Sequence, residues 1–337
     1  MRRPVAVNAI APLAALVARF PRAEAVVVGD FVADEYVYGE TERISREAPV
    51  LIVRYERSET RPGGAGNAAL NLAALGVKVR ALGVVGDDAL GATLLEALVR
   101  AGVDVAGLQR VRGRATESKT RILAGGRSTR RQQMLRVDRA PGEPVPPAVE
   151  ARIARDVAKA ARGAGVVLAS DYGSGAIGPA ALDALRAVKR GGVRVCVDSR
   201  YRLTEFVGLS MVKPNEPELE AATGVSVKAP GALDRAARAL QRRLACDELL
   251  VTRGRHCMSL FRKGEPALHL AAHGNVEVVD VSGAGDTVAA SYSAVIAAGG
   301  DAEAAARVAN VAGAIVVQKP GTATVSRDEL LAEILRP

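Results

Sequence analysis

The run Asp280-Val281-Ser282-Gly283-Ala284-Gly285-Asp286-Thr287 is the stretch of this sequence best equipped for chemistry. It follows an apolar strand pattern, Val276 to Val279, and leads into small residues with helical potential, Val288 to Ala298. Gly283 and Gly285 permit a tight turn and leave the amides of Gly283, Ala284 and Gly285 uncovered. A helix starting there adds partial positive charge, which makes an anion site. Asp286 falls where the anion would lie, so a carboxylate would stand beside a bound phosphate. That pairing suits phosphoryl transfer to a hydroxyl. The competing reading is a strand-to-helix turn without a ligand.

Other groups could join this site. Gly29-Asp30-Phe31-Val32-Ala33-Asp34 closes an apolar strand pattern, and ligands of open α/β sheets gather at such ends. Asp34 could accept hydrogen bonds from two sugar hydroxyls, or it could cap a loop. Arg61-Pro62-Gly63-Gly64-Ala65-Gly66-Asn67 offers close backbone approach and an amide side chain at a helix start. Its Gly64-x-Gly66-x-x-Ala69 imitates a dinucleotide fingerprint, but the stretch before it does not read as a buried strand. Gly173-Ser174-Gly175-Ala176-Ile177-Gly178 is the better imitation, with Asp198 ending the next strand pattern twenty residues later. It would suit an NAD-dependent oxidoreductase, except that the helix pattern starts only at Pro179. In Lys213-Pro214-Asn215-Glu216-Pro217-Glu218, Asn215 and Glu218 could organise Mg²⁺ and its waters, or Asn215 could be only an N-cap. Thr252 and Gly254 after another strand pattern could touch nucleotide phosphate. No Walker A pattern or Gly-x-Ser-x-Gly elbow occurs, and His256, His269 and His273 lack metal spacing.

The elements that must position these residues alternate. Strand patterns at Ala25–Gly29, Val79–Val85, Val166–Ser170, Val193–Val197, Met211–Val212 and Glu248–Thr252 are interleaved with helix patterns at Gly66–Leu75, Leu90–Ala101, Pro179–Lys189, Pro217–Thr223 and Gly231–Leu244. Helices Val288–Ala298, Asp301–Val317 and Ser326–Leu335 close the chain. Repeated βα units predict an α/β fold, a mostly parallel sheet with helices on both faces. Tyr36–Arg61 and Arg112–Asp138 break the rhythm and read as extended hairpins, the second around a Gly125–Arg131 turn. Together they predict a small β lid, at about 36–61 and 112–138, that could cover the site or pair two chains. Residues 140–147, rich in proline, read as a stiff linker.

Composition agrees. Of 337 residues, 49% are hydrophobic and only 3% aromatic, as in parallel sheets covered by helices. A net charge of +9 favours anionic ligands. No aromatic-interleaved basic stripe points to nucleic acid. Cys196, Cys246 and Cys257 lack metal spacing and read as reduced thiols of a cytoplasmic protein. Met1-Arg2-Arg3 faintly imitates a leader, but Pro12–Phe20 reads as an amphipathic helix, and no stretch suits a membrane span.

Taken in order, these pieces resemble the ribokinase-like (PfkB-type) sugar kinases over roughly residues 24–330, most specifically at Gly63–Asn67 and Asp280–Thr287. The resemblance implies one three-layer domain over 1–337 with the β lid. Within the family, Gly39-Glu40-Thr41-Glu42-Arg43-Ile44-Ser45-Arg46-Glu47-Ala48-Pro49-Val50 is most similar to the heptose 7-phosphate kinases of lipopolysaccharide precursor synthesis. Arg61–Gly64, Ser170–Gly175 and Gln133–Asp138 support that likeness. It implies ATP-dependent phosphorylation of the anomeric hydroxyl of D-glycero-D-manno-heptose 7-phosphate, giving the 1,7-bisphosphate; a kinase for another sugar, sugar phosphate or nucleoside is the alternative. Asp286 would be the base and the 283–285 amides the phosphoryl cradle. Asp34, Gly63, Gly64 and Asn67 would hold the sugar, and Arg43, Lys119 and Arg121 its phosphate. Asn215, Glu218, Thr252, Gly254, Gly283, Gly285 and Asn310 would serve ATP and Mg²⁺, and Asp280 and Gly321 a K⁺ ion. An aspartate at a helix N-terminus is expected to be a weak base. A homodimer through the lid is expected. So is the kinase step alone, because the chain stops at Pro337, whereas many relatives carry a nucleotidyl-transferring domain. The sequence departs from the pattern at Arg46, where proline is common, and at Cys257, where a second glycine is common. The turn Gly125–Arg131 is longer than usual.

Overall fold

A computed structural model describes residues 10–126, 131–274 and 277–336. The tip of the expected 125–131 turn, the leader-like Met1-Arg2-Arg3 and Val276 of the expected strand lie outside them.

The first helix α1 (Ile10–Val17) buries Leu13 and Val17. Strand β1 (Glu24–Ile44) then runs far beyond the expected Gly29 and serves two sheets. Its first part, Glu24–Asp30, pairs in parallel with β3 (Lys78–Gly86) and β7 (Val166–Asp171). From Phe31 on it leaves that sheet and forms the expected hairpin with β2 (Leu51–Gly64), in a register that puts Asp34 opposite Arg61. On its other side it pairs with β5 (Ser118–Gly125), which pairs with β6 (Gln132–Arg139). These four strands are the lid, and their exposed outer residues explain the charged alternation of the sequence there.

The main sheet is completed by β4 (Asp104–Val111), β8 (Arg194–Ser199), β9 (Met211–Val212), β10 (Glu248–Thr252), β11 (Met258–Arg262) and β12 (Leu268–Leu270), in the order β12-β11-β10-β9-β8-β7-β1-β3-β4. All its pairings are parallel except those of β11. The period-two geometry of a strand sends Ala25 and Val27 to one face and Val26 and Val28 to the other, and both faces are covered. One layer contains α1, α2 (Ala65–Ala74), α3 (Ala89–Arg100), α8 (Ala284–Ala297), α9 (Ala302–Val316) and α10 (Arg327–Ile334). The other contains α4 (Pro147–Ala160), α5 (Pro179–Arg190), α6 (Glu216–Thr223) and α7 (Ala232–Leu244). The result is the expected three-layer sandwich.

Three expectations are corrected. Helix α4 follows the proline-rich stretch directly, with Ile153 and Val157 buried. Residues 62–64 are buried strand, so α2 does follow a strand. Residues 277–279 are not strand, and Val278 is 59% exposed, so the turn before α8 is reached by a surface segment pinned through Val279 N to Val317 O at 2.8 Å. Among the described residues no helix is long and apolar enough to cross a membrane.

Candidate active site

A cleft of about 420 Å³ opens at the C-terminal ends of β7, β8, β9 and β10 and is overhung by the lid. Parallel strands deliver their C-terminal residues to one edge, so residues far apart in sequence meet there. The N-terminus of α8 forms one wall. Its N-cap, Gly283, has φ +75°, and a Cβ there would lie 2.5 Å from Asn67 Nδ2; only glycine lets the turn close on α2. Asp286 sits in the first turn of α8 and is 3% exposed. Its Oδ2 accepts from Asn67 Nδ2 at 2.9 Å and its Oδ1 from the Tyr172 hydroxyl at 3.0 Å. Burial, with the Asp198 carboxylate nearby, pushes its pKa up to about 7, against the pull of Asn67, Tyr172 and Lys213. The weak base expected of a helix N-terminus is therefore not what the site contains.

Across the turn stands Lys213, whose side chain is 4% exposed and pairs with Asp198 at 3.0 Å. Burial lowers its proton affinity, but Asp198, Glu218 and Asp286 outweigh that and hold it charged. A Cβ on Gly285 would lie 3.4 Å from Lys213 Nζ, so the glycine face of the turn opens towards a fixed cation. Amides at a helix start and a buried ammonium make a stronger anion site than either alone.

The family model for "pfkB family carbohydrate kinase" matches residues 22–329. The chain belongs to this family. This pfkB kinase is 40% identical over 315 residues to the "Bifunctional protein HldE" of Pelobacter propionicus, a match covering 93% of this chain and 63% of that protein. It is 41% identical over 321 residues to the HldE of Pseudomonas syringae pv. syringae, covering 94% and 65%. The chain thus spans less than two-thirds of the length of these curated relatives. Similar solved structures include ribokinase from Arabidopsis thaliana complexed with ribose and ATP (TM-score 0.75, 23% identity, covering 94% of this chain and 99% of that one). Phosphofructokinase-2 from Escherichia coli in complex with potassium is another (TM-score 0.75, 19% identity, covering 93% and 99%). The fold is ribokinase-like and the family is one of carbohydrate kinases, as expected.

The pfkB kinase brings together most of the residues singled out above. Asp34, Gly64, Lys119, Arg121, Asn215, Glu218, Thr252, Gly283, Gly285 and Asp286 line the cleft. Gly63 lets Asp34 pack against the backbone, since a Cβ would strike the carboxylate. Several partners differ from the expected ones. Asp34 and Arg121, expected on separate parts of the sugar, form an ion pair at 2.6 Å. Asn67 donates its amide to Asp286, and its Oδ1 accepts from Asn71 Nδ2 at 3.1 Å, so its polar atoms are engaged within the protein. Lys119 pairs with Glu117 at 3.1 Å and lies over the Tyr172 ring. Arg43 is exposed near the hairpin tip, paired in register with Ile52, and does not line the cleft.

On the nucleotide side, Asn215 and Glu218 form a reciprocal capping box, Asn215 Oδ1 accepting from Glu218 N at 2.8 Å and Glu218 Oε2 from Asn215 N at 2.9 Å. The cap reading is right and both residues still face the cleft. A bridge to Thr252 brings that strand end alongside. Gly254 begins a short turn, and Asn310 on α9 donates to Ala271 O at 2.8 Å and is touched by Cys257. Cys257 has φ +67°, a left-handed conformation that favours glycine. Asp280 accepts from Ser282 N and Gly321 N, both at 2.9 Å.

Sequence reasoning assigned no role to Lys213, Tyr172, Arg136 or Arg200, and read Asp198 only as the acidic end of a dinucleotide layout; all five line the cleft. Lys213 and Asp198 did carry a signal, a charged residue immediately after an apolar strand pattern. Tyr172 and Arg136 lie in stretches that support the family likeness, Ser170–Gly175 and Gln133–Asp138, but nothing in their local pattern singles either out as a site residue. The second dinucleotide imitation is spent internally: Tyr172 N, Ser174 N and Ala176 N donate to the Asp30 carboxylate at 2.8, 3.1 and 2.9 Å. Amides closed around a protein carboxylate leave no cradle for a pyrophosphate.

Proposed function

We propose that this kinase transfers the γ-phosphoryl group of ATP to the anomeric hydroxyl of a phosphorylated sugar, D-glycero-D-manno-heptose 7-phosphate, to give the 1,7-bisphosphate. The observation that carries the chemistry is the buried Asp286 carboxylate, held by Asn67 and Tyr172 in the first turn of α8 and faced by Lys213. Its pKa of about 7 suits a general base at neutral pH. Asp286 orients the acceptor hydroxyl and takes its proton as the new P–O bond forms and the bond to ADP breaks. The amides of Gly283, Ala284 and Gly285 and the Lys213 ammonium offset charge on the transferring group, and each such donor is worth roughly 3–4 kcal/mol in catalysis.

Mg²⁺ bound between Asn215, Glu218 and the phosphates would neutralise charge on the leaving diphosphate. The pair fits a largely hydrated ion: Glu218 offers one carboxylate and Asn215 one amide side chain to the cleft, and no group of three or more His, Cys, Asp or Glu side chains that could hold a metal ion exists among the described residues. Thr252, Gly254 and Asn310 would hold the nucleotide. Asp280 keeps its charge, because the Ser282 and Gly321 amides and Arg121 overcome the effect of burial. With one amide on each oxygen it retains lone pairs for a monovalent cation. Rates in potassium that match those in a bulky organic cation would remove that role.

The acceptor reading rests on the relatives and on charge. Lys119, Arg121, Arg136 and Arg200 line the cleft and would supply the cations for a phosphate, three of them by releasing the Glu117, Asp34 and Asp138 carboxylates with which they are paired. Asp34 and Arg121, once unpaired from each other, would take a hydroxyl and a phosphate. We place the reaction in the cytoplasm, where ATP and the three free thiols belong, and treat 1–337 as one catalytic domain. The test is ATP turnover with heptose 7-phosphate beside fructose 6-phosphate and ribose. Heptose 7-phosphate should give the highest kcat/KM; a preference for ribose would overturn the acceptor assignment and leave another sugar as the substrate.

A further inference from the structure

The clamp around Asp286 reaches well beyond the residues that face the substrate. On one side, Asn71 is fully buried in α2. Its Oδ1 accepts from the Thr287 hydroxyl at 3.1 Å, and its Nδ2 donates to Asn67 Oδ1 at 3.1 Å. That bond fixes which way the Asn67 amide points, so the Nδ2 group faces Asp286. On the other side, the buried Asp30 carboxylate gathers the amides of Tyr172, Ser174 and Ala176 and pins the loop that follows β7. The Tyr172 ring is held between Lys119, whose Nζ lies 4.8 Å from the ring centroid, and the backbone of Gly64, where a Cβ would lie 3.3 Å from the ring. Its hydroxyl is thereby delivered to Asp286 Oδ1 at 3.0 Å.

We propose that Tyr172 is a positioning residue for phosphoryl transfer: its hydroxyl, set in place by the amide ring on Asp30, fixes the orientation of Asp286 and favours the carboxylate form needed to take the acceptor's proton. This rests on the reading of Asp286 as the base. Each carboxylate oxygen accepts one protein hydrogen bond, which holds the group from both ends and leaves acceptor capacity for the incoming hydroxyl. The other charges facing Asp286 are Asp198 at the end of β8, which opposes ionisation, and Lys213 after β9, which favours it. Glu218 of α6 acts on Lys213, and Asp34 of β1 acts on Tyr172. Asn67, from α2, is uncharged. A phenol donor is therefore a small device set against burial and Asp198, and its removal should show as a change in proton affinity.

The experiment compares wild type, Tyr172→Phe, Asp30→Asn and Asp286→Asn over about pH 5.5 to 9, with the acid limb of kcat as one readout. The Asp286 carboxylate, titrated by ¹³C NMR, is the second. Tyr172→Phe should move both the limb and the titration up by about one pH unit, lower the plateau kcat about tenfold and leave the sugar KM within about twofold. Asp30→Asn should act in the same direction by loosening the loop. An unmoved titration in Tyr172→Phe, or a rise in KM with kcat and the limb intact, overturns the assignment and makes Tyr172 a substrate contact or a bystander. Asp286→Asn separates the two readings. If it is inactive while Tyr172→Phe keeps the wild-type profile, only the Tyr172 assignment fails. If it retains wild-type turnover, the base reading falls and takes this one with it. The NMR titration does not depend on turnover, so a weakly active variant still decides.

Discussion

Asp286 lies in the first turn of α8, where backbone amides favour an anion, yet its pKa is about 7. Burial and the neighbouring Asp198 outweigh the helix end, whose effect fades within a turn and is worth at most a couple of kcal/mol. The folded pKa lies above the ordinary aspartate value of 3.8, so the native state holds the proton more tightly than the unfolded chain. Stability therefore falls as pH rises from about 4 to about 7, and the loss persists above that. Asp286→Asn keeps the shape and removes the charge. It should raise the unfolding free energy at pH 8 by on the order of 2–4 kcal/mol relative to wild type, with the gain gone near pH 4, as read by denaturant titration at both pH values. Equal stabilities at pH 8 would show that Asp286 is less costly to ionise than its burial implies. The residue's identity was legible in the sequence from the Gly-Ala-Gly-Asp turn. Its proton affinity was not, because Asn67, Tyr172, Asp198 and Lys213 come from four separate segments.

At the scale of elements, α6 shows one pair of side chains with two duties. Asn215 and Glu218 close a capping box, and both line the cleft. The duties separate by substitution. Asn215→Ala should cost about 1 kcal/mol of stability through the lost cap, whereas Asn215→Ser, which caps as well, should not. Both should raise the Mg²⁺ concentration needed for half-maximal rate, measured by activity against free Mg²⁺; an unchanged requirement would leave Asn215 as a cap alone. Most core elements were legible because their apolar periods are clean. Helix α4 carried the period as well, in Val149, Ile153 and Val157, but the proline-rich run before it reads as a linker. The continuation of β1 past Gly29 was hidden for a physical reason. One strand changes from a sheet buried on both faces to a half-exposed lid sheet, so its pattern changes in mid-strand from continuous to alternating.

Across the whole molecule, the lid leaves two open edges among the described residues, β2 and β6, and every residue of β6 is exposed. Leu135, at 56% exposure, and Val137, at 50%, are apolar surface on a strand that can pair further. Closing that edge against the lid of a second copy would cover both, in keeping with a homodimer. Leu135→Glu should then shift the sedimentation coefficient from dimer to monomer and raise the sugar KM several-fold by loosening the strands that carry Lys119, Arg121 and Arg136, with little change in thermal stability. A wild-type enzyme that sediments as a monomer at micromolar concentration would leave the lid as a cover only.

The central claim is that the carboxylate of Asp286 takes the acceptor's proton while the α8 turn holds the transferring phosphoryl group. The most direct measurement is single-turnover phosphoryl transfer from ATP to heptose 7-phosphate by wild type and Asp286→Asn, with both ligands' dissociation constants measured alongside. The expected result is a rate lower by about 10³-fold or more with both constants within about threefold of wild type. A rate within tenfold of wild type, or a loss explained wholly by weaker binding, would contradict the claim.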